Sequence, residues 1–162
     1  AVMMRGMQIL LEMLAEVVRS NDSVPKMLIR LRDTYTAYFN NHRDYFRMMH
    51  FLQTPQFHKQ VDDEMRKNCG MLNRRVWDLV NGILQRGIDE GILRNNLNPV
   101  EVGIILWSSA TALMLRIDSE HQIWKETFHI DLAKTLKLSN ALLFDAICSE
   151  EGRRPLAASA KT

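Results

Sequence analysis

The sequence predicts an all-α protein, an antiparallel bundle of about six to seven helices. Apolar residues recur every three or four positions along most of the chain, which is the spacing of a helix with one buried side. No segment shows the strict apolar and polar alternation of a half-buried strand. With 162 residues, 46% hydrophobic and 25% charged, the chain is long enough and apolar enough to bury a full core.

Three helices are expected in the first third of the chain. The first covers residues from 2 to 20, where Leu10, Leu14 and Val17 share one side with other apolar residues. The second begins near Ser23 and Pro25, residue types that suit a helix start, and ends near residues 40–41. The third covers residues 43–52 and is apolar on much of its circumference, which predicts burial on more than one side.

A long helix is expected to open at Thr54–Pro55 and to continue as far as Gly91. Gly91 suits the left-handed residue that ends a helix. Asn98, Pro99 and Glu101 then suit the N-cap, the first position and the capping-box partner of the next helix. The punctuation therefore predicts a helix, a short polar connector and another helix.

The next helix is expected to run to Ile117 and to be followed by a short helical turn over Glu120–Glu126. Asp131 suits the cap of a last helix that ends near Cys148. Residues 1–151 are expected to form one domain. Residues 152–162 are expected to be disordered, because they carry too little apolar area to offset the entropy of ordering.

The composition and the motifs of the chain argue against several classes of function. The net charge of +2 comes from 21 basic and 19 acidic residues scattered along the chain, so the chain is not expected to bind DNA by itself. Cys69 and Cys148 form no metal-binding or redox spacing, which predicts a cytoplasmic protein. Charges interrupt every apolar run, so no contact with a membrane is expected. No catalytic motif is present, and neither an enzyme nor a cofactor is predicted.

Three weaker signals favour ordinary structural roles. His58 and Asp62 are four residues apart and could face one metal ion, but such pairs are usually solvated surface, and no metal site is predicted. Glu126 and His129 form a single ExxH motif, whereas a di-iron bundle needs two. Cys69 could sense oxidants if it faced a pocket, but a buried cysteine is mostly a small hydrophobic residue.

Three segments carry a resemblance to a known family. They are Gly87–Trp107, with its Glu-Gly-Ile-Leu stop and Asn-Pro start, the segment Tyr-Phe-Asn-Asn-His-Arg-Asp-Tyr-Phe-Arg from Tyr38, and the helix pair joined through Phe128–Asp131. Together they make the chain resemble the ligand-binding and dimerisation domain of the TetR family of transcriptional regulators. The family's DNA-reading helix-turn-helix, roughly 50 residues, is absent from these residues. The resemblance implies a sensor and dimerisation domain, usually of a repressor, that contacts DNA only through an additional N-terminal module.

A pocket is expected between the second, third, long and Trp107-containing helices. Its aromatic and methionine side chains suit a small hydrophobic or aromatic effector. Tyr35, Tyr38 and Thr111 are expected to orient the effector, since a buried hydroxyl needs a partner. Each residue could equally belong to the plain core. The predicted lining is Tyr35, Phe39, Phe46, Met49, Phe57, Met65, Cys69, Leu72, Trp107 and Thr111.

A homodimer is expected to form through the last two long helices, where small residues around Ser109 allow close helix approach. Close packing within one chain is the alternative. The predicted interface residues are Val102, Ile105, Leu106, Ser109, Leu113, Leu136, Asn140, Leu143 and Ile147.

Two rival functions stay open. A structural or adaptor bundle would bind a partner helix in a groove, without a small-molecule ligand, and predicts an exposed Met/Phe stripe. A helical enzyme or lipid carrier would need a constellation of buried carboxylates or histidines that the sequence does not offer.

Overall fold

The computed structural model describes residues 2–51, 54–59 and 61–161, without the side chains of Phe57 and His58. The predicted all-α class is confirmed: the described residues form helices, with a single isolated bridge between Leu93 and Cys148. The helices are α1 Val2–Arg19, α2 Val24–Asn41, α3 Arg43–Phe51, α4 Pro55–His58, α5 Asp63–Asp89, α6 Pro99–Phe128, α7 Leu132–Ile147 and α8 Arg153–Ser159.

The chain divides into two compact units, Ala1–Ile83 and Leu84–Thr162. The boundary falls inside α5, so the expectation of one domain over residues 1–151 stays a prediction. In the first unit α1 packs against α2 and α3, and α2 packs against α3. In the second unit α6 packs against α7.

The contact between α1 and α3 requires a glycine. A Cβ placed on Gly6 would lie 2.9 Å from the Cβ of Tyr45, closer than two such atoms approach. The absence of a side chain at Gly6 therefore lets α3 lie directly against α1. The buried side of α1, including Leu10, Leu14 and Val17, is the one that the spacing predicts.

The expectation of one long helix from Thr54–Pro55 to Gly91 is wrong at its start. The structure has a short helix α4 and begins α5 at Asp63. The Asp62 carboxylate accepts a hydrogen bond from the backbone N–H of Met65 at 2.8 Å, which caps the start of α5. Asp63 and Glu64 place further negative charge in the first turn, where the helix dipole favours it.

The connector between α5 and α6 matches its prediction in three respects. Gly91 adopts a left-handed conformation, with φ of 73°. Asn98 caps α6 by accepting a hydrogen bond from the N–H of Val100 at 2.9 Å, and Pro99 occupies the first position. The Asn98 side chain bonds the amide two residues on rather than that of Glu101, so the cap is a single bond and not the expected capping box.

α6 is one continuous helix to Phe128, so the expected break after Ile117 is wrong. Side-chain pairs four residues apart bridge the expected break. The Glu120 carboxylate accepts hydrogen bonds from Trp124 at 2.8 Å and from Arg116 at 2.6 Å. Both residues lower the pKa of Glu120 below its ordinary value, and the hydrogen bond from Trp124 is the largest cause. The helix ends where His129 turns left-handed, with φ of 55°.

The expected disordered tail contains helix α8, in which Leu156 is buried. The residues between α7 and α8 bind the α5–α6 connector. The N–H of Ser149 donates to the carbonyl of Ile92 at 3.0 Å, and the N–H of Arg94 donates to the carbonyl of Ile147 at 3.0 Å. These backbone hydrogen bonds and the burial of Leu156 offset the entropy cost of ordering the end of the chain. The expectation of disorder considered only the small apolar area of the tail.

We expect Gly152→Ala to lower the free energy of unfolding by about 1–3 kcal/mol, the usual cost of overpacking. A Cβ at Gly152 would lie 1.9 Å from the backbone carbonyl oxygen of Ile92, so the chain must move away from the connector. Urea denaturation followed by circular dichroism measures the change. Gly82→Ala is the matched control: its Cβ would meet nothing within 4 Å on a helix, and alanine there is expected to stabilise the protein.

Candidate functional site

Aromatic side chains of α2 and α3 form a buried cluster in the first unit. The ring of Phe46 meets that of Phe39 edge to face, with centroids 4.8 Å apart, and lies 6.3 Å from that of Tyr35. Tyr35 and Phe39 are four residues apart on α2, so both point to the same side, where Phe46 of α3 meets them. The guanidinium of Arg43 lies 3.8 Å from the centre of the Phe39 ring and covers it with positive charge.

A polar pair lies at the edge of this cluster. The Tyr35 hydroxyl and Nε2 of His50 are 3.4 Å apart, at the long end of hydrogen-bonding distance. The His50 ring also lies 4.5 Å from that of Phe46. His50 is partly exposed while Tyr35 is buried. The pair therefore places a hydroxyl and a ring nitrogen beside aromatic surface, on the partly exposed His50 side of the cluster.

The structure brings together part of the predicted pocket. Tyr35, Phe39 and Phe46 touch one another, and Met49 is buried on the same helix as Phe46. The other predicted residues lie on other helices. On α5, Met65 and Cys69 are partly exposed and Leu72 is buried. On α6 of the second unit, Trp107 is partly exposed and Thr111 is buried. The Phe57 side chain lies outside the described residues. The ten-residue pocket therefore stays a prediction.

Tyr38, expected to orient an effector, makes a structural bond. Its buried hydroxyl donates to the backbone carbonyl of Gly6 in α1 at 3.2 Å. Burial raises the pKa of Tyr38 to about 12. The hydroxyl therefore stays protonated in the folded protein at pH values where an exposed tyrosine would ionise.

We expect Tyr38→Phe to lower the free energy of unfolding by about 1 kcal/mol at neutral pH, the usual net value of one hydrogen bond. The wild-type protein should also lose stability as the pH rises from 10 towards 12, because the unfolded tyrosine releases its proton first. The Tyr38→Phe variant has no hydroxyl to ionise, so its free energy of unfolding should fall less than that of the wild type over this pH range. Urea denaturation at neutral and alkaline pH measures both effects, and an unchanged alkaline slope would contradict the assignment to Tyr38.

Asn81 on α5 was missed by the sequence analysis. Its side-chain oxygen Oδ1 is buried and has no hydrogen-bond partner among the described residues. A buried acceptor without a donor costs about 1–3 kcal/mol, so Asn81 is a second position in the first unit where a polar group of a ligand would be stabilising. Its position in the sequence did not indicate a buried side chain, because Asn81 lies beside the apolar side of α5 among other polar residues.

The weaker signals gain no support. Within the described residues, no group of three His, Cys, Asp or Glu side chains could hold a metal ion. Asp62 serves as a helix cap, and the His58 side chain lies outside the described residues. Burial raises the pKa of the Cys69 thiol, and raises that of Cys148 to about 11, which lowers the fraction of reactive thiolate at both residues.

The second unit exposes apolar residues on both of its long helices. Only 22% of the most apolar 18-residue window of α6 is buried. Four exposed residues form what we name the α6 stripe: Ile105, Ser108, Ala112 and Leu115. On α7, Leu138 and Leu142 are 58% and 63% exposed. Large exposed apolar side chains on a helix lose contact with water when another surface covers them.

The predicted interface residues differ in how far they are exposed in the single chain. Val102 and Leu136 are each only 4% exposed, so they belong to the core of the chain and not to an open surface. Ile105 is 52% exposed, as an interface residue must be. The six others are partly exposed: Leu106, Ser109, Leu113, Asn140, Leu143 and Ile147. Further exposed residues of the two helices, outside the predicted list, are Ile104, Ser108, Ala112, Leu115, Leu138 and Leu142; Ser108 and Ala112 belong to the small residues around Ser109 that were expected to allow close helix approach.

α6 is the one helix of the described residues that is long and apolar enough, by length and composition, to cross a membrane. Its uncharged part is short. Val102–Leu115 spans roughly 21 Å at 1.5 Å per residue, against about 30 Å for the hydrocarbon core of a bilayer. Glu101 and Arg116 bound this part, so the geometry suits a protein contact better than a membrane crossing.

Comparison with known proteins shows a similarity in fold only. No protein-family model matches the chain, and no curated protein matches it. The chain is similar to the structure of a protein of unknown function from Rhodococcus sp. RHA1, with a TM-score of 0.68 and 10% sequence identity. The similarity covers 92% of this chain and 72% of that one. At this identity the likeness shows a shared all-α helical fold.

Proposed function

We propose that this chain is the effector-binding and dimerisation domain of a TetR-like transcriptional regulator, of the repressor type, in the cytoplasm. The observation that carries the proposal is the low burial of α6, the most apolar long helix of the chain. A water-soluble bundle with so much apolar helix surface is stabilised when a partner covers that surface. A second copy of the chain is the partner that the TetR resemblance implies.

The aromatic cluster of the first unit is the proposed effector site. A small hydrophobic or aromatic molecule would approach from the partly exposed His50 side and hydrogen-bond to the Tyr35–His50 pair. It would reach the buried Phe46 and Phe39 rings only when α2 and α3 move apart. No bound cofactor or catalytic step is part of the proposal. Asn81 would accept a further hydrogen bond from an effector that reaches α5.

Regulation would pass from this cluster to α1. The Tyr38 hydroxyl bonds the Gly6 carbonyl, and Gly6 lies against Tyr45, so α1 is attached to both α2 and α3 near its N-terminus. An effector that binds one packing of α2 and α3 better than another would shift the orientation of α1. In the TetR-like arrangement α1 carries the DNA-reading module, and half-sites roughly 34 Å apart tolerate little change in spacing. An effector with equal affinity for both packings would have no effect.

Native mass spectrometry of the purified chain tests the proposal, because one spectrum reports the oligomer and any retained small molecule. We expect a dimer that carries a small adduct. Tyr35→Phe, which removes only the hydroxyl, should reduce adduct occupancy and leave the dimer unchanged. A bare monomer would contradict the proposal. So would a dimer that retains nothing and gains no thermal stability from a panel of small aromatic compounds.

The exposed apolar side chains also favour a second candidate, an adaptor bundle that binds the helix of a different protein. Phe51 and Met71 are exposed in the first unit in addition to the residues of α6 and α7. This candidate predicts a monomer in isolation and no adduct, so the same spectrum separates the two functions.

A further inference from the structure

Four of the exposed residues of α6, those of the α6 stripe, follow a spacing that is the same in both directions along the helix. Counted from Ala110, Ser108 and Ala112 are two residues away on either side, and Ile105 and Leu115 are five residues away. At 3.6 residues per turn, these four side chains fall within roughly 80° of arc. The α6 stripe is therefore large, small, small, large, and symmetric about the level of Ala110.

This symmetry suits contact between two identical helices. Across a two-fold axis, each residue that meets a second residue is met by it in return. In an antiparallel pair centred on Ala110, Ser108 faces Ala112 of the partner subunit and Ile105 faces Leu115 of the partner subunit. The two small residues let the helix axes approach closely, and the large residues fill the space on either side.

The charges at the ends of the α6 stripe favour the antiparallel direction. Glu101 continues the stripe by one turn and has no ion pair within the described part of the chain. In the antiparallel pair it lies about 4.5 Å along the axis from the level of Arg116 of the partner subunit, within reach of that long side chain, which within its own chain pairs with Glu120. A parallel pair would instead place each Glu101 beside a Glu101 and each Arg116 beside an Arg116, which is unfavourable.

We propose that α6 pairs with α6 of a second copy in this antiparallel register, with Ser108 against Ala112 of the partner subunit. This inference rests on the dimer of the proposed function and specifies its direction and register.

Disulfide cross-linking tests the register. Two chains are prepared in a Cys69→Ser background, one with Ser108→Cys and the other with Ala112→Cys, then mixed, allowed to exchange and oxidised. Cys148 can stay, because it is buried and its thiol stays protonated. The matched control mixes Ser108→Cys with Ser119→Cys, an exposed serine of the same helix that the register places more than about 10 Å along the axis from Ser108 of the partner subunit.

The expected result is ~10-fold more heterodisulfide in the Ser108→Cys and Ala112→Cys mixture than in the control, since a disulfide needs Cα atoms within about 7 Å. Disulfides within Ser108→Cys alone would indicate a parallel pair and overturn the proposal. A dimer by mass with no excess in the test mixture would overturn the register and leave the proposed dimer standing. A monomer by mass would overturn both.

A charge exchange provides a second readout. Glu101→Arg should weaken the dimer, because it places two arginines together across the axis. Combining it with Arg116→Glu should restore association. If the double variant is no tighter than Glu101→Arg alone, the proposed pairing of these side chains is wrong.

Discussion

Phe46→Ala is expected to lower the free energy of unfolding by about 3–5 kcal/mol, the range for truncating a buried aromatic residue. Phe46 is fully buried, and its ring contacts those of Phe39, Tyr35 and His50 at the junction of α2 and α3. Alanine leaves a cavity there and removes three ring contacts at once. Urea denaturation followed by far-ultraviolet circular dichroism measures the loss.

Phe51→Ala is the matched control for this prediction. Phe51 ends the same helix α3 but is 63% exposed, so its truncation should change stability by less than about 1 kcal/mol. Equal losses for the two variants would show that α3 is not packed through Phe46. The same pair separates structure from recognition, because an effector site at the cluster predicts that Phe46→Ala also abolishes the retained adduct.

Ala112→Glu is expected to dissociate the dimer, raising its Kd by ~100-fold or more, since burying an unpaired carboxylate costs several kcal/mol. In the proposed dimer, the two-fold axis would place the change in the interface twice. Because Ala112 is exposed in the single chain, the variant should fold normally. Size-exclusion chromatography with light scattering, at concentrations where the wild type is dimeric, should show a monomer.

Ala133→Glu provides the control for Ala112→Glu. Ala133 is exposed in the first turn of α7, where a negative charge interacts favourably with the helix dipole. The same substitution there should leave the dimer intact. Dissociation by Ala133→Glu, or a dimer that survives Ala112→Glu, would place the interface elsewhere.

Local signals predicted the helices well where capping chemistry is strong. Gly91, Asn98 and Asp131 each act through neighbouring backbone atoms, so residue type at one position was enough to place a helix end. The start of α5 was missed although Asp62 gives the same kind of signal, because apolar spacing appeared to continue through it. The order of α8 was missed because it depends on a distant connector at Ile92.

The residues of the candidate surface were harder to predict for a physical reason. α6 carries apolar or small residues on all sides between Val102 and Leu115, so its sequence has no contrast between a buried and an exposed side. Val102 was therefore placed in the interface, whereas Ala112 was expected only as one of the small residues that allow close helix approach. In the first unit, α2 and α3 have clear polar sides, and three residues of the predicted pocket lining, Tyr35, Phe39 and Phe46, contact one another.

The proposed dimer requires a second copy of the chain to cover the α6 stripe. Sedimentation equilibrium of the wild-type protein, over a dilution series through the low micromolar range, measures this association. We expect reversible association from the 18.8 kDa chain to twice that mass, lost in Ala112→Glu. A mass of 18.8 kDa at every concentration would contradict it.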